Sequence, residues 1–293
     1  MPTTDTRNKR LTLMAVFAHP DDESFGTGGT LAKYGADPEV RVILVCGTRG
    51  EAGEISDSKL ATPEKLGEVR EHELRCACSV LGVDELHFLD YRDSGMMGTV
   101  DNINPQALAM ADFDEAVGKL VAHIRRERPD VVITFDQSGG YGHPDHIAIH
   151  YQTKAAFTAA GDPARYPEQI AAGLAPHRPH KLYFTAIPRR FFESLALKLQ
   201  DMGLANDPRV QRFLSEPFGL PSEACTTDLE VQGVWEIKYA AWRCHATQLP
   251  ADSIFTMLPP ELMRDLQSWE CFQLARSDVG PDDGRHDLFA GLR

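Results

Sequence analysis

Short, almost wholly apolar runs recur along the first two thirds of the chain, each followed by a polar, glycine-rich stretch. Residues 11–18 (LTLMAVFA), 40–46 (VRVILVC), 85–91, 131–135 (VVITF) and 181–187 (KLYFTAI) read as parallel strands covered on both faces. Between them the spacing turns helical. Residues 64–81 set Leu66, Val69, Leu74, Ala77 and Leu81 near one face and stop at Gly82. Residues 112–126 open on the capping residue Asp112 and end before Pro129, and residues 146–160 end at Gly161-Asp162-Pro163. Residues 28–34 read as the tight entry to a first helix. Strands alternating with helices predict an α/β fold, a Rossmann-like three-layer α/β/α sandwich with a mostly parallel central sheet and right-handed crossovers.

Beyond residue 187 the rhythm loosens. Helices are expected at 191–202, 235–247 and 259–274, a Pro-rich connection at 214–222 and a short alternating strand at 226–231. Residues 277–293 are polar and Gly/Asp-rich, which predicts a loosely ordered tail. No stretch reads as an independent linker, so residues 1–293 form a single domain. Its core spans 11–187, and a C-terminal extension over 188–276 covers one end of the sheet.

Composition narrows the partners. Of 293 residues, 25% are charged, no apolar run approaches a membrane span, and the net charge of −13 argues against a nucleic-acid backbone as ligand. No membrane partner is expected, and the oligomeric state is left unknown. The polar start, residues 1–10, reads as a frayed end rather than a signal peptide, which predicts a cytoplasmic protein. The six cysteines (46, 76, 78, 225, 244 and 271) are scattered, and Cys76 and Cys78 would face different ways on one helix. Neither a disulfide framework nor a zinc knuckle is expected.

The chemistry collects where two strands end. The first empties into His19-Pro20-Asp21-Asp22-Glu23 and the fourth into a glycine-rich turn followed by His143-Pro144-Asp145-His146. In an open α/β sheet, ligands bind at the carboxyl ends of strands. Pro20 stiffens the first turn so that His19 and Asp22 can face one point while Asp21 faces elsewhere, and His146 can complete the set. Two imidazoles and one carboxylate leave a position open on Zn²⁺, as hydrolysis requires. The same trio also reads as the facial triad of a non-haem iron oxygenase, in which Asp21 would have no evident task. A non-catalytic binding protein of the same fold is the third reading, and it would need neither Asp21 nor His143. Arg70 and Glu73 read as a solvated pair that gains interest from the neighbouring strand exit Arg92-Asp93-Ser94-Gly95. His245, after the apolar stripe of Ile237, Ala240, Ala241 and Cys244, reads as a packed or surface histidine.

The stretches AHPDDE (18–23), TRGEAGE (48–54), YRDSGMMGT (91–99), GGYGHPDH (139–146) and HATQ (245–248) together resemble the PIG-L/LmbE family of zinc-dependent N-deacetylases, and its mycothiol branch in particular. The resemblance runs from about residue 11 to 248. It implies one zinc per chain, with Fe²⁺ as a cellular substitute, held by His19, Asp22 and His146. It further implies Asp21 as general base, His143 as electrophilic or acid partner, and Asp145 as the residue that orients His143. Arg70 and Asp93 would reach sugar hydroxyls, and Tyr141 would lie over the reacting carbonyl. The implied reaction removes an acetyl group from the nitrogen of an N-acetylglucosamine-type molecule. An amidase acting on mycothiol S-conjugates is the alternative, because the motifs do not name the acyl acceptor.

Overall fold

The apolar run at the start of the chain becomes the centre of a sheet. In the computed structural model, which describes residues 10–215, 218–251, 253–279 and 285–293, β1 (Leu11–Phe17) is flanked on both sides by parallel neighbours. From Leu13 to Ala18 every side chain is buried. Each large aliphatic or aromatic group among them contributes roughly 1.5–3 kcal/mol relative to an exposed one, so the strand carries no polar residue beyond Thr12. The following elements are α1 (Asp22–Gly35), β2 (Val40–Cys46), α2 (Leu66–Leu81), β3 (Glu85–Phe88), α3 (Phe113–Glu127), β4 (Val131–Thr134), α4 (Pro144–Ala159) and β5 (Lys181–Ala186). Asp112 caps α3 by accepting the Glu115 N–H at 2.9 Å, and Gly82 ends α2 with a left-handed φ of 75°.

Among the described residues seven strands form one sheet in the order β3-β2-β1-β4-β5-β7-β6, with β6 (Thr227–Glu230) and β7 (Trp269–Ser277) at one edge. β1 to β5 are parallel, and β7 runs antiparallel between β5 and β6. The chain winds outward through β2 and β3, then crosses to the other side of β1 to form β4. That reversal opens a crevice at the carboxyl ends of β1 and β4, the place where this class of sheet binds ligands. α1 packs on α2, and α3 packs on α4, as right-handed crossovers on opposite faces require.

The C-terminal third departs from expectation in three places. Residues 259–274 are not one helix. After α5 (Arg189–Asp201) and α6 (Trp235–Cys244), α7 (Pro260–Leu266) stops and β7 begins, because pairing with β5 and β6 on both sides outweighs local helical spacing. The described end of the tail is also packed. Leu288 and Phe289 are fully buried, the Tyr34 hydroxyl donates to Asp287 at 2.8 Å, and Lys181 Nζ donates to the Ala290 carbonyl at 2.6 Å. Third, a disulfide joins Cys76 on α2 to Cys244 at the end of α6, across 168 residues of sequence. Cys78, two residues on, is buried and free, so the two do face different ways. The pairing escapes sequence reading because it depends on how α6 docks. No helix among the described residues is long and apolar enough to cross a membrane. The expected frayed start lies, but for Arg10, outside the described residues, as do residues 280–284 of the expected tail.

The extension is clamped to α1 by a buried ion pair. Lys238 of α6 and Glu270 of β7 meet at 2.6 Å, and the Glu270 carboxylate accepts the Gly29 and Thr30 N–H groups at 2.8 and 2.7 Å. A buried charge is tolerable only when paired and hydrogen-bonded this fully.

Candidate metal and catalytic centre

The exit of β1 is bent. Asp21 has φ 113° and ψ −28°, a left-handed conformation that costs a non-glycine residue roughly 1–3 kcal/mol. The bend turns α1 so that Asp22 reaches back, its Oδ2 accepting the His19 N–H at 2.7 Å. At the exit of β4 the Phe135 ring stacks on the His146 imidazole, with centroids 3.9 Å apart and planes within 7°. The turn between them has left-handed glycines at 139, 140 and 142, and Pro144 starts α4 at the position proline favours.

Three donors converge between the two exits. His19 Nδ1 lies 3.1 Å from His146 Nε2 and 3.6 Å from Asp22 Oδ2, and His146 Nε2 lies 3.2 Å from Asp22 Oδ1. The far nitrogen of each ring is already engaged. His19 Nε2 donates to Asp145 Oδ2 at 3.1 Å, and His146 Nδ1 donates to the Gly139 carbonyl at 3.1 Å. Such outer partners fix the tautomer that leaves the inward nitrogen a lone pair for a metal. The charge balance asks for a cation as well. Burial alone would hold His19 neutral, yet Asp93, Asp145 and Asp22 outweigh it and drive its pKa well above the ordinary value. The residues therefore fit a divalent metal ion.

His143 also brings a ring nitrogen within 4.8 Å of those of His19 and His146, but its bonding differs. Its Nδ1 accepts the Asp145 N–H at 3.2 Å, and its Nε2 lies 3.9 Å from Asp93 Oδ1. Burial, with His19 and His146 nearby, pulls its pKa down to about 4. At neutral pH it is therefore an uncharged ring with its proton on Nε2. That arrangement suits a hydrogen-bond donor better than a ligand.

The other expected residues fall in unequal places. Asp21 stands beside the donors, its pKa pushed up to about 6 by burial against the opposing pull of the Arg70 guanidinium. Asp145 does not orient His143 with its carboxylate. Those oxygens hold His19, the Ser94 N–H at 2.9 Å, the Ser94 hydroxyl and the Ala109 N–H at 3.1 Å; only its backbone N–H reaches His143. Arg70, expected to reach sugar hydroxyls, lies buried. It is 3% exposed and donates to the Pro20 and Gly50 carbonyls at 2.6 and 2.9 Å and to Asp21 Oδ2 at 3.2 Å. The glycines of the TRGEAGE loop make room for it, since a Cβ at Gly50 or Gly53 would collide with the guanidinium.

Asp93 is also buried, at 2% exposure. It accepts the Gly95 and Ala52 N–H groups and lies 3.4 Å from His19 Nε2. Tyr141, by contrast, is 67% exposed at the mouth, its ring 5.0 Å from that of His146. Sequence reading named Glu23 and Ser94 within the strand exits without giving them a role, took Glu73 as half of a solvated pair with Arg70, and took His245 as a packed or surface histidine. Their clues were the HATQ segment and the three-residue spacing of Arg70, Glu73 and Cys76.

Comparison with known proteins agrees with this geometry. The model of the PIG-L family (GlcNAc-PI de-N-acetylase) matches residues 14–157. A 1D-myo-inositol 2-acetamido-2-deoxy-alpha-D-glucopyranoside deacetylase of Geodermatophilus obscurus is 39% identical over 96% of this chain and 97% of its own. Among solved structures, the N,N'-diacetylchitobiose deacetylase of Pyrococcus horikoshii matches with a TM-score of 0.64 at 22% identity, over 93% of this chain and 88% of its own. A 4-carboxy-2-hydroxymuconate hydratase of Pseudomonas putida matches at 0.61 and 20% identity, over 93% and 99%; it shares the fold alone. The sequence relationship sets aside the oxygenase and non-catalytic readings. With near full-length identity to a deacetylase and the family's own model matched across both strand exits, the chain belongs to the PIG-L family of de-N-acetylases.

Proposed function

We propose that the protein is a zinc-dependent hydrolase that removes the acetyl group from the nitrogen of an N-acetylglucosamine unit carried on inositol or a similar polyol. The observation that carries this reading is the convergence of His19 Nδ1, His146 Nε2 and the Asp22 carboxylate, with Asp21 and His143 flanking them. The alternative triad of His19, His143 and His146 is disfavoured because His143 Nδ1 is already bonded to the Asp145 N–H. When bound, the ion supplies Lewis acidity toward the amide carbonyl and makes water a stronger acid.

The chain's own residues move the protons. Asp21, with a pKa near 6, is ionised at neutral pH and takes the proton of the attacking water, as a base tuned close to its working pH does best. His143 offers its Nε2–H to the carbonyl oxygen as negative charge builds there. Tyr141, on its glycine-flanked turn, supplies a second donor from the mouth. When the C–N bond breaks, the proton held by Asp21 passes to the departing amine, leaving acetic acid, the free amine and the starting carboxylate; the acid then ionises to acetate in solvent.

Acetate release tests the reading across a panel of N-acetylglucosaminyl-inositol, N-acetylglucosamine, diacetylchitobiose and a mycothiol-type S-conjugate. Each is assayed after chelation and after addition of zinc. The expected result is zinc-restored turnover fastest on the inositol-linked sugar. No acetate from any N-acetyl sugar with the zinc-loaded protein would overturn it, and cleavage of the S-conjugate alone would transfer the protein to the amidase branch.

A further inference from the structure

His245 enters none of these steps, yet it is fully buried at the end of α6. Its Nε2 lies 2.8 Å from Glu23 Oε1. Glu23, also fully buried, accepts the Asp21 N–H through its other oxygen at 2.9 Å, and the Ser24 hydroxyl bonds Oε1 as well. Asp21 is the residue held in the left-handed conformation. A strained peptide persists only where its surroundings over-determine it. Here they do so from two sides, with Glu23 on the Asp21 N–H and Arg70 on the Pro20 carbonyl and the Asp21 carboxylate.

His245 is itself fixed on both flanks. Arg70, Glu73 and Cys76 follow one another at three-residue spacing and so share a face of α2. Glu73 accepts the Thr247 N–H and hydroxyl at 2.8 and 2.6 Å, and Cys76 is bonded to Cys244. The segment 244–247 is thus anchored immediately before and two residues after His245, against the same helix that supplies Arg70. A histidine needed only for volume would not require this registration.

We propose that His245 is a positioning residue for the catalytic base. Its Nε2–H holds the Glu23 carboxylate, and Glu23 holds the Asp21 peptide in the bent conformation that aims Asp21 at the attacking water while Asp22 faces the metal. This inference rests on the reading of Asp21 as base.

The test compares His245→Leu, which keeps volume and loses the donor, with His245→Gln, whose amide nitrogen falls near the place of Nε2. Both are made in the full, zinc-loaded chain. His245→Leu is expected to lower kcat about 10²-fold, the size of effect that an ångström of misplacement produces. KM and zinc content should stay within about twofold of wild type, and His245→Gln should recover at least about tenfold of the loss. An unchanged kcat in His245→Leu, or an equal loss in both variants, overturns the proposal. Should His245→Leu fail to fold, Glu23→Met decides: it keeps the side chain's length and removes the acceptor oxygens from both Asp21 and His245. A similar kcat loss there supports the proposal, and wild-type kcat overturns it. Asp21→Asn separates the two levels. If it retains wild-type turnover, the base assignment has failed; if it is inactive while His245→Leu is normal, only the positioning claim has.

Discussion

Arg70 Nη2 lies 3.2 Å from Asp21 Oδ2 and 2.6 Å from the carbonyl of Pro20, so the guanidinium holds both the base and the turn that carries it. Arg70→Ala should therefore lower kcat, by about 10²-fold if the base shifts by an ångström, and leave KM for the sugar nearly unmoved. A raised KM with normal kcat would return Arg70 to substrate binding.

The same pair sets a pH dependence. Asp21 must be ionised to act, so kcat/KM should rise with pH through the Asp21 pKa. Burial pushes that pKa to about 6, and a bound cation lowers it. The wild-type acid limb should fall at or below pH 6. Arg70 opposes the upward push, so removing its charge should move the limb to higher pH. A limb that stays in place in Arg70→Ala would show that the two groups do not interact.

Asp145 separates two roles in a single variant. Its carboxylate accepts from His19 Nε2, and only its backbone N–H is hydrogen-bonded to His143. Asp145→Asn should weaken zinc binding about 10–100-fold, as loss of an outer partner does, while the zinc-saturated enzyme keeps most of its kcat. Chelator competition followed by assay at saturating zinc measures both. A large kcat loss at full occupancy would mean that Asp145 serves His143 after all.

His143→Ala should retain a full complement of zinc and lose about 10²–10³-fold in kcat, the usual consequence of deleting one donor to a developing oxyanion. His146→Ala should lose the metal instead. Metal analysis of the two purified variants distinguishes them, and loss of zinc from His143→Ala would place that ring among the ligands.

The bond between Cys76 and Cys244 closes a long loop, and such links stabilise by roughly 2–4 kcal/mol, largely through the unfolded chain. Replacing both cysteines by serine should lower the urea midpoint accordingly. An unchanged midpoint would show that the α2–α6 contact holds without it.

The strand exits were legible because their ligands are local. His19 and Asp22 lie three residues apart, His143 and His146 likewise, and the apolar strands before them announce where each turn begins. What joins the site to the rest of the molecule was not legible. Glu23 meets His245 across 222 residues, Glu73 meets Thr247 across 174, and Cys76 meets Cys244 across 168. The spacing of Glu73 and Cys76 places them on a helix but does not say which distant segment docks there. The burial of Arg70 was hidden for a related reason: it depends on the glycines of a loop twenty residues away. β7 was hidden because its pairing with β5 and β6, and not its own spacing, makes it a strand.

The most direct test of the central claim is anomalous diffraction at the zinc edge from crystals of the zinc-loaded protein. One strong peak per chain is expected, bonded by His19 Nδ1, His146 Nε2 and the Asp22 carboxylate, with Asp21 and His143 nearby but unbonded. A peak bonded by Asp21, or one held by His19, His143 and His146 without Asp22, would contradict it.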